Sequence, residues 1–174
     1  MACGPVDMAH FLRWITRKPS LGTPRSAKMV IMVDSGSDTT IISATPERCF
    51  LIASEFEKYP EWAHDVKEAK VLERDAQGRA TSVEYRASAF GRSTHYTLAY
   101  DYTDAPKRLS WTLVAGDIMR SIRGAYTFET VPNGTQVTYD LAIELVVPLP
   151  GFVKRRAEVR ILDTLKELKT RSES

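Results

Sequence analysis

Residues 122–145 read IRGAYTFETVPNGTQVTYDLAIEL. Ile122, Gly124, Tyr126 and Phe128 occupy alternate positions before the break, and Val137, Tyr139, Leu141, Ile143 and Leu145 do so after it. A period of two puts one set of side chains on one face of a sheet and the polar residues between them on the other. Pro132-Asn133-Gly134 stands between the two runs. Asn-Gly in that position signals an antiparallel hairpin, and a type I′ turn there requires positive φ at both Asn133 and Gly134. Pro148 and Pro150 stop the second strand, because proline cannot donate to a ladder.

The same period extends upstream. Strands are expected at about Val66–Arg74, Ala80–Phe90 and Ser93–Thr103, and around Leu109, Trp111 and Leu113. Asp75-Ala76-Gln77-Gly78, Gly91-Arg92, Asp104-Ala105-Pro106-Lys107 and Gly116-Asp117 separate them. Thr39–Ser43 is a β-branched run and reads as the first strand. Thr45-Pro46-Glu47 then opens a helix with Thr45 as N-cap, and Tyr59-Pro60 is expected to end it. Phe50, Ala53 and Phe56 form its apolar stripe, and Pro60-Glu61-Trp62 starts one more short turn. At the C-terminal end the period changes. Val153, Ala157, Ile161, Leu165 and Leu168 share one face of a helix of about twenty residues. The order predicts an α+β fold: an antiparallel meander of about six to seven strands, covered by one long C-terminal helix.

Composition bounds the function. The chain has 174 residues, 43% of them apolar and 26% charged, which suits one globular domain. Its net charge of +2 is uneven. Residues 1–31 hold five cations against Asp7, and the remainder is slightly acidic. With the basic surplus in a terminal tail instead of on a folded face, nucleic acid is not an expected partner. Pro5, Pro19, Pro24 and several glycines punctuate residues 1–35, which read as a basic, disordered extension; Met29 or Met32 is an alternative start. Met8–Arg17 has weak amphipathic character, so peripheral membrane contact through the tail is the most that is expected. No apolar run approaches the ~20 residues a spanning helix needs. Cys3 and Cys49 make neither a disulfide framework nor a metal set, and a reduced, cytoplasmic setting follows.

Catalytic signals are sparse. His95 alternates with Tyr96 and should face away from the apolar side. His64 sits in a charged loop and His10 in the tail. No metal-ligand spacing, phosphate-cradling glycine loop or nucleophile elbow is present, so no catalytic residue, metal or cofactor is assigned. Cys49 reads as a buried small hydrophobe. The apolar sheet face instead gathers aromatic residues: Tyr85, Tyr96, Tyr100, Trp111, Tyr126 and Tyr139. Buried phenol hydroxyls need partners, which is easier where part of the core is a cavity. Arg86, Arg120 and Arg123 point outward or to the rim by parity.

The element order resembles the helix-grip fold of the START-like superfamily (SRPBCC type), which contains polyketide cyclase/dehydrase and lipid-transport proteins. Phe56-Glu57-Lys58-Tyr59-Pro60-Glu61-Trp62 resembles that family's aromatic-Pro-aromatic segment. Val71-Leu72-Glu73-Arg74, Trp111-Thr112-Leu113 and Gly116-Asp117 leading to Gly124-Ala125-Tyr126 resemble actinobacterial members. The resemblance runs from about Asp38 to Lys169. It implies a ligand-binding domain over residues 36–174, with a cavity between sheet and C-terminal helix. Tyr85, Tyr96, Leu98, Tyr100, Trp111, Leu113, Tyr126, Tyr139 and Ile161 would line that cavity. The function it implies first is non-enzymatic binding or transport of a small apolar ligand such as a lipid or polyketide. An aromatase/cyclase acting on a polyketide is the alternative, and a protein-interaction module the second alternative.

Overall fold

A computed structural model describes residues 34–89, 92–146 and 163–174. Seven strands form one antiparallel sheet: β1 (Asp34–Ile42), β2 (Val66–Arg74), β3 (Ala80–Ala89), β4 (Arg92–Asp101), β5 (Arg108–Gly116), β6 (Met119–Val131) and β7 (Gly134–Leu145). Their order across the sheet is β1-β7-β6-β5-β4-β3-β2. Only β1 leaves the sequential meander, by pairing with the last strand. It opens at Asp34, ahead of the expected Thr39, because Asp34 to Gly36 pair with Ile143 to Leu141. These residues lack β-branched side chains, and the partner strand supplies the order that local propensity does not.

The inward parity of the strands is interrupted by register shifts in β2, between β4 and β5, and in β6. Met119 and Ile122 are both buried although three residues apart. A register shift between Met119 and Ser121 inserts the extra residue that turns both inward. The β6–β7 hairpin also differs from expectation. Val131 pairs directly with Gly134, so Pro132 and Asn133 are the loop residues. Proline holds φ negative, which excludes a type I′ turn. Gly134 has a positive φ of 132°, outside the left-handed helical region, and a Cβ there would collide with the carbonyl oxygen of Ile42. The glycine serves the close approach of β1's end to β7.

Helix α1 (Pro46–Ser54) starts as the sequence indicates: the Thr45 hydroxyl accepts from the Arg48 amide, with Pro46 and Glu47 in the first turn. It ends at Ser54, five residues before Tyr59-Pro60. A 3-10 turn (Phe56–Lys58) and a short helix α2 (Tyr59–Trp62) follow. Tyr59 is helical despite the proline after it, because its buried ring is fixed by a hydroxyl hydrogen bond to the Ala53 carbonyl at 2.7 Å. The buried face of α1 is Cys49, Ile52 and Ala53; Phe50 stays half-buried at its margin.

Residues 163–173 are helical (α3). Val153, Ala157 and Ile161 of the expected helix face, and residues 1–33 of the predicted 1–35 extension, lie outside the described residues, while Asp34 and Ser35 open β1. Leu165 and Leu168 of α3 are fully buried in the core shared with the sheet. Polar contacts tie the same helix to its neighbours. Arg171 meets Glu61 of α2 at 2.7 Å, and Arg48 donates to the Ser172 carbonyl at 2.8 Å. The Ser43 amide donates to Glu173, and Lys169 to the Ile41 carbonyl. Each buried leucine contributes about 1.5–3 kcal/mol, against ~0–1 kcal/mol for an exposed ion pair. The leucines therefore hold the helix and the polar contacts set its register. Among the described residues no helix is long and apolar enough to cross a membrane.

Candidate functional site

The sheet face that meets α1, α2 and α3 is aromatic. Tyr85 on β3 faces Tyr96 on β4, Tyr100 on β4 faces Trp111 on β5, and Tyr126 on β6 faces Tyr139 on β7. Strand register thus brings all six predicted aromatics onto one face. Their ring centroids link neighbour to neighbour. Tyr85 and Tyr96 stack at 5.3 Å, Tyr100 lies 6.1 Å from Trp111, Trp111 lies 5.2 Å from Tyr126, and Tyr126 stacks on Tyr139 at 4.8 Å. Leu98 and Leu113 pair between β4 and β5. Tyr85, Leu98, Trp111, Tyr126 and Tyr139 are buried, while Tyr96, Tyr100 and Leu113 are only half-buried. Ile161 lies outside the described residues.

Three aromatics join this face that parity arguments on strands do not reach. Phe56 packs 4.0 Å from Tyr100, Tyr59 lies 6.2 Å from Tyr85, and Trp62 lies 4.6 Å from Tyr59, ring centre to ring centre. Their spacing of three and three is the signal in the sequence, since residues at i and i+3 share a helical face.

The phenols divide by partner. The Tyr85 and Tyr100 hydroxyls bond each other at 2.7 Å, Tyr59 donates to the Ala53 carbonyl and Tyr102 to the Ala80 carbonyl. The hydroxyls of Tyr96, Tyr126 and Tyr139 have no hydrogen-bond partner among the described residues. Burial raises the pKa values of this set. Tyr59, Tyr85, Tyr100 and Tyr126 are held well above 10, and Tyr96 is pushed up to about 12, with the charge of Asp65 adding to burial. At neutral pH these groups are phenols. They give and accept hydrogen bonds, and none is a phenolate base.

The two described histidines, His64 and His95, lie outside this face. His95 is exposed. The His64 side chain is 86% exposed, and its Nδ1 lies 2.6 Å from Glu167 Oε1 on α3. Cys49 is fully buried, and burial raises its thiol above the ordinary value. At the end of the face beyond Tyr96, Asp117 bonds the buried Thr94 hydroxyl and accepts from the His95 amide at 3.0 Å. Partial burial opposes its charge, but these hydrogen bonds outweigh it and hold the carboxyl below its usual range. Arg86 pairs with Glu68 and Arg120 with Glu144, so these arginines face solvent as parity indicates. Among the described residues no group of three or more His, Cys, Asp or Glu is placed to hold a metal ion. The opposite sheet face carries an open groove of about 480 Å³ over Ala99, Ser110, Thr112 and Ala125, edged by Asp101, Arg108, Arg123 and Asp140.

A seven-stranded antiparallel sheet, a C-terminal helix and an apolar face between them define the architecture. The sequence model of the family described as polyketide cyclase / dehydrase and lipid transport matches residues 34–173. The chain belongs to that family. Among solved structures it is similar to a START superfamily protein from Mycobacterium smegmatis, with 25% identity over 80% of this chain and 94% of that one, and a TM-score of 0.68. The Zhui aromatase/cyclase from Streptomyces sp. R1128 shares 12% identity over 82% of this chain and 94% of its own, with a TM-score of 0.69. TTHA0849 from Thermus thermophilus shares 22% identity over 80% of this chain and 97% of its own, with a TM-score of 0.66. The last two likenesses concern the fold. Among curated proteins no sequence matches the chain.

Proposed function

We propose that this family member binds a small apolar ligand, such as a lipid or a polyketide, on the concave aromatic face. The observation that carries the reading is the half-burial of Tyr96, Tyr100 and Leu113 in the middle of an otherwise buried aromatic series. A closed core would bury those positions too, since interiors pack to near-crystal density. Apolar walls with a few hydroxyls that fix orientation suit a ligand of this class. Native mass spectrometry of protein purified without detergent tests it. A co-purifying mass of apolar character is expected. Only apoprotein, together with failure to take up N-phenyl-1-naphthylamine, contradicts it.

A second reading is an aromatase/cyclase, and the half-buried place of Tyr96 on the concave face, where its phenol stays neutral, favours it. A phenol kept neutral is a proton donor, which dehydration of a β-hydroxy ketone requires. Conversion of a poly-β-keto substrate, lost in Tyr96→Phe while probe binding persists, would establish that activity. Binding without turnover leaves the carrier reading.

A further inference from the structure

Trp111 on β5 lies directly opposite Gly124 on β6. A Cβ on Gly124 would fall 2.5 Å from Cε2 and 2.8 Å from Nε1 of the indole, closer than real Cβ contacts come. The indole therefore lies across the backbone of β6. It reaches Tyr139 on β7, stacking at 5.9 Å and 29°, with Tyr126 at 5.2 Å. A tryptophan laid across a neighbouring strand occupies little of the concavity; one standing upright fills it. Glycine inside a 13-residue strand weakens the strand and needs a reason. Gly124 does not have the positive φ found at Gly78 and Gly134. The space above its Cα is the reason that remains.

We propose that Gly124 is the size-determining position of the apolar site, by seating the Trp111 indole flat against the sheet and so admitting ligands of fused-ring bulk. The inference rests on the binding reading above. It assigns Gly124 a positioning role, exercised through Trp111. Any larger residue at 124 lifts the indole off Tyr139 and into the concavity, and the upper limit on ligand size falls.

The test compares naphthalene with pyrene as fluorescent probes, on the full chain and on Gly124→Ala. The near-ultraviolet circular dichroism of Gly124→Ala should change, because the indole leaves its stack. Naphthalene affinity should stay within about twofold, and pyrene affinity should fall roughly 10–200-fold, the range one methylene commands in an apolar pocket. Trp111→Leu supplies the second comparison and covers a Gly124→Ala variant that does not fold. With the indole gone, adding Gly124→Ala should leave pyrene binding unchanged. Equal loss for both probes, unchanged selectivity, or a full effect of Gly124→Ala in the Trp111→Leu background overturns the size role. If the parent binds neither probe, the binding reading fails and carries this one with it; binding with unchanged selectivity overturns the role of Gly124 alone.

Discussion

At Gly134 a φ of 132° coincides with a space that the Ile42 carbonyl already occupies. Gly134→Ala meets both obstacles, so it should destabilise the fold by ~1–3 kcal/mol, read as a lower urea midpoint with an unchanged slope. Gly78 is the internal control. Its φ is 78°, nothing lies within 4 Å of where a Cβ would sit, and Asp75 already organises the turn through the Gln77 and Arg79 amides. Gly78→Asn should cost less than ~1 kcal/mol, since asparagine tolerates left-handed backbone. Equal costs at both sites would remove the close-approach argument. The Tyr85–Tyr100 pair makes a second residue-level prediction. Tyr100→Phe strands a buried hydroxyl on Tyr85 and should cost about 1–3 kcal/mol. The double change Tyr85→Phe/Tyr100→Phe should cost less than the two single costs together, and additive costs would show that the hydroxyls do not depend on each other. The placement of these residues on one face is legible in the sequence through strand parity. Their mutual bonding is not, because parity fixes a face and leaves the reach of each side chain open.

Among the elements, the strands are the legible part. Val66–Arg74 can be read to the residue because turn residues bound it at both ends, although three register shifts interrupt its pairing with β3. The end of α1 is hidden because Tyr59-Pro60 looks like a helix stop, whereas the burial of Phe56 and Tyr59 redirects the chain sooner. The start of β1 has no local signal in Asp-Ser-Gly-Ser. That strand sharpens a truncation test of the expectation that the N-terminal extension is disordered. A chain beginning at Asp34 should melt within about 3 °C of the parent, the shift a ~1 kcal/mol change gives at this size. A chain beginning at Thr39 gives up the Asp34–Asp38 pairing with β7 and should melt lower. Equal melting of both would show that the first half of β1 contributes nothing. For α3, Leu168→Ala should cost ~2–5 kcal/mol and Arg171→Ala less than ~1 kcal/mol, measured by the same urea titration. A larger cost for Arg171→Ala would reverse the ranking of leucines over surface pairs.

For the molecule as a whole, the buried phenols couple its fold to alkaline pH. In an unfolded chain tyrosine titrates near 10, whereas burial pushes Tyr96 and Tyr102 up to about 12 and holds four others well above 10. Folded values raised above unfolded ones mean that this stability is complete below pH ~10 and declines as pH rises toward 12 and beyond. Tyrosinate absorbance should thus appear together with loss of far-ultraviolet circular dichroism; a separate titration near pH 10 with the fold intact would contradict the burial. The aromatic face that predicts this behaviour is also the proposed site, and Leu113 is where core and cavity make opposite demands. The decisive measurement is a titration of N-phenyl-1-naphthylamine into the parent and into Leu113→Trp, with the urea midpoint of each. The account predicts about one probe site in the parent, and a variant that loses the probe while keeping its midpoint. No probe site in the parent, with a variant destabilised by the ~1–3 kcal/mol that overpacking costs, would mean that the aromatic face is solid core.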